Sequence, residues 1–261
     1  MTRAWALVTG ASSGIGLELA RLAAADGYNL VLVARGATRL DALATELQAR
    51  HGLEALSLAT DLAERDSTDR LVASLAARTI VPALLINNAG IGSYGLHQDV
   101  PLAAEQEVLD LNVVALTRLT RLLLPAMLAR GSGRILNVAS TAAFQPGPYM
   151  AVYYASKAYV LHYSEALGHE LAGQGITVTA LCPGPTRSGF QARAGMQASR
   201  LLRGLVPMTS AEAVARSGYR GLLAGRRVVV PGLVNWLMAE SMRFTPRRLA
   251  TAIVARVSRP G

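Results

Sequence analysis

The sequence predicts an α/β fold in which a doubly wound parallel sheet of about seven strands is covered by helices on both faces. Two observations lead to this prediction. Short, continuous apolar runs rich in valine, leucine and isoleucine alternate with longer segments of helical periodicity, and uninterrupted apolar strands are typical of parallel sheets buried on both faces. In addition, no linker, repeat or low-complexity tract interrupts the 261 residues, so we expect a single domain spanning 1–261.

Seven apolar runs supply the strands in chain order: 4–10, 29–34, 54–60, 83–90, 133–140, 176–184 and 226–232. The residues between them are helix-periodic, and right-handed crossovers then place helices on both faces of the sheet. Two segments depart from this pattern. Residues 185–208 are too long for a tight connection, and we expect them to form a substrate loop. Residues 233–258 predict a C-terminal extension of two short amphipathic helices separated by Pro246.

Composition and charge exclude several function classes. The chain carries 26 Lys and Arg against 17 Asp and Glu, a formal net charge of +9. Its arginines are scattered rather than interleaved with aromatic residues, so we expect no nucleic-acid partner. The single cysteine, Cys182, precludes an intrachain disulfide and indicates a cytoplasmic protein. We expect no signal peptide, membrane-spanning segment or metal site, because the chain lacks the corresponding patterns.

The C-terminal extension leaves two interpretations open. Its apolar side, which includes Trp236, Leu237, Met238 and Ile253, packs either on the domain or on a second subunit. Alternatively, the same side and its surrounding arginines contact a membrane surface. We favour the first interpretation, because apolar faces of this size are common in ordinary cores and oligomer interfaces.

The segment TGASSGIG (9–16) ends the first predicted strand and opens a helix. Glycine lets the backbone turn tightly and approach a pyrophosphate, whose charge is stabilised by free N–H groups at the helix N-terminus. Two serine hydroxyls add hydrogen-bond donors. We therefore assign this loop to a dinucleotide cofactor, with contacts from Gly10, Ser12, Ser13, Gly14, Ile15 and Gly16.

The end of the second strand selects between the two nicotinamide dinucleotides. An acidic residue there binds a ribose 2′-hydroxyl, whereas an arginine accommodates a 2′-phosphate. The strand ends in Ala34 followed by Arg35, and a guanidinium binds phosphate bidentately. We therefore predict NADP(H) in preference to NAD(H). The alternative is that Arg35 is one more surface arginine.

The next two strand ends add further cofactor residues. Asp61 and Leu62 follow the third strand, where the carboxylate either accepts from an adenine amino group or caps the next helix. The fourth strand ends in the sequence INNAG (86–90). From it we assign Asn88, Ala89 and Gly90 to the cofactor.

Lys157 is the only lysine among 26 basic residues, and it follows two adjacent tyrosines. Converting a carbonyl to an alcohol requires a positioned acid, and a nearby cation lowers the pKa of a tyrosine hydroxyl. On a helix, Tyr153 and Tyr154 lie four and three residues before the lysine, so both contact its face. Geometry alone therefore leaves two candidates for the acid.

Together these motifs resemble the short-chain dehydrogenase/reductase family over nearly the whole chain. The resemblance is carried by residues 9–16, Asn87-Asn88-Ala89-Gly90, Asn112, Ser140, Tyr153-x-x-x-Lys157 and Pro183-Gly184. It implies a Rossmann-type sheet, a nicotinamide cofactor, hydride transfer between a carbonyl and an alcohol, and a homodimer or homotetramer. It also implies a catalytic tetrad of Asn112, Ser140, Tyr153 and Lys157, which selects Tyr153 over Tyr154.

The family pattern implies two further details of the site. Asn112 is expected at a helix irregularity that holds a water linked to the lysine. Pro183, Gly184, Thr186 and Ser188 are expected to close the nicotinamide site. The family commonly has valine and threonine where this chain has Thr186 and Ser188.

The substrate pocket is predicted to be apolar. Its walls come from 91–98, 141–150 and 185–208, which offer Tyr94, Phe144, Pro146, Tyr149, Met150, Phe190 and Met196. We assign Ser140, Phe144, Tyr149 and Tyr153 to the substrate. The sequence thus predicts an NADPH-dependent reductase of a hydrophobic ketone, aldehyde or acyl-chain carbonyl. Two alternatives remain: a 3-oxoacyl-carrier-protein reductase, and a catalytically silent cofactor-binding sensor or scaffold.

Overall fold

A parallel sheet organises the protein, whose computed structural model describes residues 3–195 and 208–259. In chain order the strands are β1 (Trp5–Thr9), β2 (Asn29–Ala34), β3 (Ala55–Ala59), β4 (Pro82–Asn87), β5 (Gly133–Val138), β6 (Ile176–Leu181), β7 (Thr186–Arg187), β8 (Thr209–Ser210) and β9 (Val228–Val229). Strands β7 and β8 pair only with each other, and the remaining seven form one sheet in the order β3-β2-β1-β4-β5-β6-β9. The predicted fold class and its seven strands are confirmed.

The helices occupy the segments between the strands, as the sequence periodicity predicted. They are α1 (Gly14–Ala25), α2 (Ala37–His51), α3 (Ser67–Ala76), α4 (Leu102–Leu109), α5 (Leu116–Arg130), α6 (Ala151–Glu170), α7 (Phe190–Arg193), α8 (Ala211–Leu223), α9 (Leu233–Ser241) and α10 (Arg247–Ser258). A π-helical turn, Asp110–Ala115, joins α4 to α5, and a 3-10 turn, Thr141–Phe144, follows β5.

Alternating side chains of the strands feed two apolar layers, because successive residues of a strand point to opposite faces. On one face, Ala6, Val8 and Leu30 pack with α1, α2 and α8. On the other, Leu7 and Val31 pack with α3, α5 and α6. Both faces are therefore covered, which explains why the strands are uninterrupted apolar runs rather than alternating ones.

The order of the sheet reverses at β1, which pairs with β2 on one side and with β4 on the other. In an open parallel sheet such a switch point leaves a crevice outside the carboxyl ends of the strands, since the two connections run to opposite faces. The motifs that follow β1, β2, β4 and β5 all leave the sheet at this edge. The fold therefore brings them to one place.

One helical run, Leu102–Arg130, is long and apolar enough by composition to cross a membrane. It comprises α4, the π-helical turn and α5. Its Leu119, Leu123 and Met127 are buried in the layer that α3 and α6 share with the sheet. Its apolar face therefore has the partner that a core helix requires.

The C-terminal extension packs on the domain along one side. Its predicted division into two short helices at Pro246 is confirmed, and its buried residues are Ala239, Ala250, Val254 and Ser258. The predicted substrate loop begins after β6 and contains β7 and α7. Residues 196–207, including Met196, lie outside the described residues.

Candidate active site

A cavity of about 630 Å³ lies in the crevice at the switch point. It extends from the end of β2, past the loop after β1 and the end of β4, to the end of β5 and the start of α6. Nearly all the residues assigned from the sequence line this one cavity. The exceptions are Gly16, Asn112, Phe144 and Tyr149, and the predicted wall residues Tyr94 and Pro146 do not line it either.

The loop after β1 approaches the end of β4 so closely that only glycine fits. Gly10 and Gly14 have φ of 65° and 60°, the left-handed region that glycine adopts without strain. A Cβ on Gly10 would lie 2.6 Å from the Asn88 amide nitrogen, and a Cβ on Gly16 would overlap both that nitrogen and the Gly10 carbonyl oxygen. Gly16 therefore serves the packing of α1 on the loop rather than direct contact with a ligand.

Thr9 and Asn88 hold this loop in place. The Thr9 hydroxyl accepts hydrogen bonds from the backbone N–H groups of Asn88 and Ala89, both at 3.0 Å. In return, the Asn88 amide donates to the carbonyls of Thr9 at 2.9 Å and Gly10 at 3.2 Å. Thr9 was not assigned from the sequence as a site residue, although a hydroxyl at the last position of β1 was a visible signal.

The end of β2 supplies positive charge to the far end of the cavity. Arg35 lines it together with Arg39 from the first turn of α2. The Arg35 guanidinium lies 3.1 Å from a carboxylate oxygen of Glu107 and 3.7 Å from one of Asp61. Neither Arg39 nor the pairing with Glu107 has a signal in the sequence, because both depend on how α2 and α4 pack beside the strand end.

The geometry of the cavity fits a dinucleotide. Its middle is formed by the tight glycine loop at the N-terminus of the 12-residue helix α1, where backbone N–H groups and the helix dipole favour a pyrophosphate. The Asp61 carboxylate also accepts a hydrogen bond from the Ala63 N–H at 3.0 Å. The next helix, α3, begins at Ser67 after Asp66, so Asp61 does not cap it; its contact with an adenine amino group stays a prediction.

Tyr153, Ser140 and Lys157 meet at the opposite end of the cavity. The Tyr153 side chain lies close to the Ser140 hydroxyl. Ser140 is fixed in turn because its Oγ accepts from the Ala142 N–H at 3.1 Å and caps the 3-10 turn. Lys157 donates to the Val138 carbonyl at 2.9 Å, and its Nζ lies 5.9 Å from the centre of the Tyr153 ring.

Burial shifts the pKa values of these groups toward their neutral forms. Desolvation raises the pKa of Tyr153, although the nearby Ser140 hydroxyl opposes this effect. Desolvation lowers the pKa of Lys157 to about 8, against a smaller opposing effect of Cys182. The tyrosine is therefore protonated at neutral pH and can act as an acid, whereas the lysine titrates close to neutral pH.

Asn112 lies in the π-helical turn, so the predicted helix irregularity is confirmed. Its side chain accepts from the Ile91 N–H at 3.0 Å and donates to the Ile91 carbonyl at 2.9 Å. It also donates to Ser156 Oγ at 3.0 Å, and Ser156 donates to the Tyr153 carbonyl at 2.7 Å. Asn112 thus ties the segment after β4 to α6, and its role in holding water stays a prediction.

Tyr154 has a different environment from its neighbour. It also borders the cavity, but its ring packs in a cluster with Val254 of α10, and a Cβ on Gly147 would overlap that ring. Tyr94 donates to the Ser258 carbonyl at 2.7 Å. Tyr154 therefore packs toward the C-terminal helix, whereas Tyr153 lies beside Ser140 at the cavity end.

The segment after β6 lines the cavity with Pro183, Gly184, Thr186 and Ser188, and its contact with a nicotinamide stays a prediction. Pro183 accepts from the Thr141 N–H at 2.9 Å, and Thr186 Oγ1 donates to the Gly184 carbonyl at 2.9 Å. A Cβ on Gly14 would lie 3.2 Å from Ser188 Cβ. Ser188 therefore lies over the glycine loop.

The assignment of Phe144 and Tyr149 to the substrate needs correction. Phe144 packs on a buried cluster that includes Val160 and Leu161, because the 3-10 turn directs it away from the cavity. Tyr149 has φ of 68°, and its carbonyl accepts from the Gly95 N–H at 2.9 Å. Neither lines the cavity.

Other residues form the apolar wall beside Tyr153. The Phe190 ring lies 5.2 Å from the Tyr153 ring, as the substrate-loop prediction anticipated, and Met150 is adjacent. A Cβ on Gly92 would lie 2.8 Å from Phe190. Helix α9 adds Asn235, Met238 and Ala239, which no sequence motif indicated.

Comparisons with known proteins agree with this geometry. The short chain dehydrogenase family matches residues 4–198. The chain is 39% identical over 179 residues to a very-long-chain 3-oxoacyl-CoA reductase of Phaeosphaeria nodorum, covering 67% of this chain and 52% of the relative. It is 35% identical over 214 residues to the ketoacyl reductase HetN of Nostoc sp., covering 81% and 74%. The chain thus spans about half the length of several curated relatives it matches.

Solved structures share the fold over nearly the whole chain. A short-chain dehydrogenase from Sphingobium yanoikuyae in complex with NADPH has a TM-score of 0.83 at 33% identity, covering 92% of this chain and 93% of that one. A short-chain dehydrogenase/reductase from Burkholderia phymatum in complex with NAD has a TM-score of 0.80 at 26% identity, covering 91% and 92%.

Proposed function

This chain belongs to the short-chain dehydrogenase/reductase family, and from that premise we propose that it is an NADPH-dependent reductase of a hydrophobic ketone, aldehyde or acyl-chain carbonyl. One observation carries the proposal. Tyr153, Ser140 and Lys157 lie together at one end of a cavity whose middle is formed by a glycine loop and whose other end holds two arginines.

When bound, the nicotinamide supplies the hydride that adds to the carbonyl carbon. The residues of the chain handle the oxygen and the proton. Ser140 and Tyr153 are both positioned to donate hydrogen bonds to a carbonyl oxygen between them, which polarises the carbonyl and orients it. Because burial raises the pKa of Tyr153, its hydroxyl holds the proton that the developing alkoxide needs at neutral pH.

Lys157 acts on the tyrosine after the proton has left. A phenolate buried in this environment would be costly without a nearby cation. The Lys157 ammonium, within 6 Å of the ring, offsets that cost and lowers the barrier to proton donation. A guanidinium would also supply charge, but it would stay protonated and could not relay a proton from water.

NADPH is proposed over NADH because of the charge at the end of β2. Arg35 and Arg39 both line that end of the cavity, and two guanidinium groups suit a 2′-phosphate. Asp61 and Glu107 beside Arg35 orient its side chain. The proposal fails if purified enzyme has a lower KM for NADH than for NADPH.

An acyl-chain carbonyl is favoured by two findings. The wall beside Tyr153 is apolar, with Phe190 and Met150, and two relatives are reductases of 3-oxoacyl or ketoacyl groups by name. A carrier-protein thioester remains the alternative substrate form. Initial rates with 3-oxoacyl thioesters of coenzyme A and of carrier protein, against simple hydrophobic ketones, would separate these substrate classes.

The decisive test compares two neighbouring tyrosines. We expect Tyr153→Phe to reduce kcat by at least about 100-fold, since it removes the acid, while NADPH binding persists. Tyr154→Phe is the matched control and should retain most activity. An active Tyr153→Phe enzyme, or a wild type that binds NADPH yet turns over no carbonyl in a broad panel, would contradict the proposal; the second result would favour a silent sensor.

We further propose a cytoplasmic homo-oligomer. Exposed apolar side chains on α4, α5, α6 and the π-helical turn support a self-association surface: Leu109, Val114, Leu122 and Tyr159. Sedimentation velocity should give a dimer or a tetramer, and a monomer at micromolar concentration would contradict this prediction.

A further inference from the structure

The C-terminal extension exposes an apolar surface that the cavity and the core leave uncovered. We call it the C-terminal apolar surface; its residues are Leu233, Val234, Trp236, Leu237, Phe244, Leu249 and Ile253. Their exposure ranges from 46% for Trp236 to 87% for Phe244. Single exposed apolar residues are normal, but a cluster on two consecutive helices indicates an interaction site.

The opposite side of each helix packs on the domain, so the C-terminal apolar surface is a second apolar side and not the one that contacts the core. In α9, Asn235 and Ala239 line the cavity. In α10, Ala250, Val254 and Ser258 recur at helical spacing and are buried. Each helix therefore has one side committed to the domain and a second apolar side facing outward.

Arginines surround the C-terminal apolar surface. The segment 233–259 contains five arginines and one acidic residue, Glu240, and all five are exposed: Arg243, Arg247, Arg248, Arg256 and Arg259. Glu240 pairs with Arg243 at 3.2 Å. The other four form no ion pair with the residues at 3–195 and 208–259. The extension thus combines exposed apolar side chains with a net positive charge.

We propose that the C-terminal apolar surface docks on an anionic lipid bilayer. Apolar side chains with a tryptophan enter the boundary between headgroups and acyl chains, while arginines bind the acidic headgroups. A second copy fits the surface less well. A two-fold interface would bring the positively charged surfaces of both copies together, and the repulsion between them opposes association.

Docking has a consequence for the cavity. Because α9 forms part of the cavity wall with one side and the C-terminal apolar surface with the other, the bilayer lies directly outside this wall. An apolar substrate dissolved in lipid would then be concentrated beside the site. The docking itself requires no turnover, so its test is independent of the proposed reaction.

Tryptophan fluorescence allows a direct measurement. The chain contains two tryptophans, Trp5 and Trp236, and a Trp5→Phe variant leaves Trp236 as the single reporter. We expect a blue shift of its emission with vesicles of phosphatidylcholine and phosphatidylserine, and a weaker shift with phosphatidylcholine alone. Sedimentation with the same vesicles gives the partition coefficient, which should fall as salt is raised.

Variants distinguish docking from general stickiness. Phe244→Ser and the double variant Arg247→Gln/Arg248→Gln should each lower the partition coefficient by about tenfold or more. Leu102→Ser, at an 80% exposed leucine on α4, is the matched control and should leave it unchanged. An equal fall of the partition coefficient in the control would overturn the proposal, as would a Phe244→Ser variant that binds vesicles as well as the wild type. Self-association that Phe244→Ser abolishes, without vesicle binding, would show that a second copy is the occupant.

Discussion

Lys157 lies almost completely inside the protein, where its ammonium has lost the water that stabilises its charge. Burial lowers its pKa from 10.5 to about 8. An arginine in this position would stay charged at every pH that the fold tolerates. The only lysine of the chain therefore occupies a position where a lysine can lose its proton and an arginine could not.

Replacing this lysine should change how stability depends on pH. Between the two pKa values the unfolded chain holds a proton that the folded protein has released, so wild-type stability rises with pH in that window. Lys157→Met lacks this contribution. From pH 7 to pH 10 the unfolding free energy of wild type should gain about 2–3 kcal/mol relative to the variant. Urea denaturation at several pH values measures the difference, and a difference constant with pH would contradict the assignment.

Arg35 should control the choice of cofactor. Charge-assisted hydrogen bonds to a phosphate contribute about 1.5–3 kcal/mol. Arg35→Ala should therefore raise the KM for NADPH by about 10- to 100-fold and leave the KM for NADH nearly unchanged. Arg70→Ala is the control, because Arg70 pairs with Glu64 on the exposed surface. Equal losses for both cofactors would show that Arg35 only supports the fold of this region.

The junction between β1 and α1 depends on close backbone contact. The helix can start where it does only because Gly16 leaves room for the Asn88 amide and the Gly10 carbonyl. Asn88 in turn ties the loop to the end of β4. The junction therefore joins α1 to the ends of β1 and β4. The backbone around Gly16 is held by these contacts and cannot move aside for an added methyl group.

A Gly16→Ala substitution should destabilise the protein by about 1–3 kcal/mol, since it overpacks a rigid backbone contact. Gly36→Ala provides the comparison. Gly36 has φ of −87° and no atom within 4 Å of the added carbon, so the change there should be within about 0.5 kcal/mol. Thermal or urea unfolding measures both. A Gly16→Ala protein as stable as Gly36→Ala would refute the overpacking argument.

The sequence predicted the elements that local chemistry determines. The strands followed from apolar runs, and most residues that line the cavity from their positions at successive strand ends, since parallel strands bring those ends to one edge of the sheet. Phe144 and Tyr149 were misassigned because nearness to Ser140 along the chain does not fix the direction in which a 3-10 turn points. The role of Thr9 in holding the glycine loop was not predicted. Asn235, Met238 and Arg39 were not predicted either, because their positions depend on tertiary packing.

At the scale of the whole molecule, the cavity joins parts of the chain that are far apart in sequence. The ends of β1, β2, β4, β5 and β6 line it, and α9 closes one side. A dinucleotide that bridges these parts binds the folded protein and has no comparable site in the unfolded chain. Cofactor binding and global stability are therefore thermodynamically linked.

This linkage predicts a thermal shift that requires no substrate. NADPH at 100 times its Kd adds about 2.7 kcal/mol to stability, which raises Tm by about 5–10 °C for a domain of this size. The same concentration of NADH should give a smaller shift, because it lacks the 2′-phosphate for which we propose Arg35 and Arg39 as partners. Gly14→Ala should abolish most of the NADPH shift, since Gly14 has φ of 60° and its added carbon would lie 3.2 Å from Ser188. Differential scanning fluorimetry measures all three. An unchanged shift in Gly14→Ala would place the cofactor elsewhere, and a shift without carbonyl turnover would identify a protein that binds its cofactor and catalyses nothing.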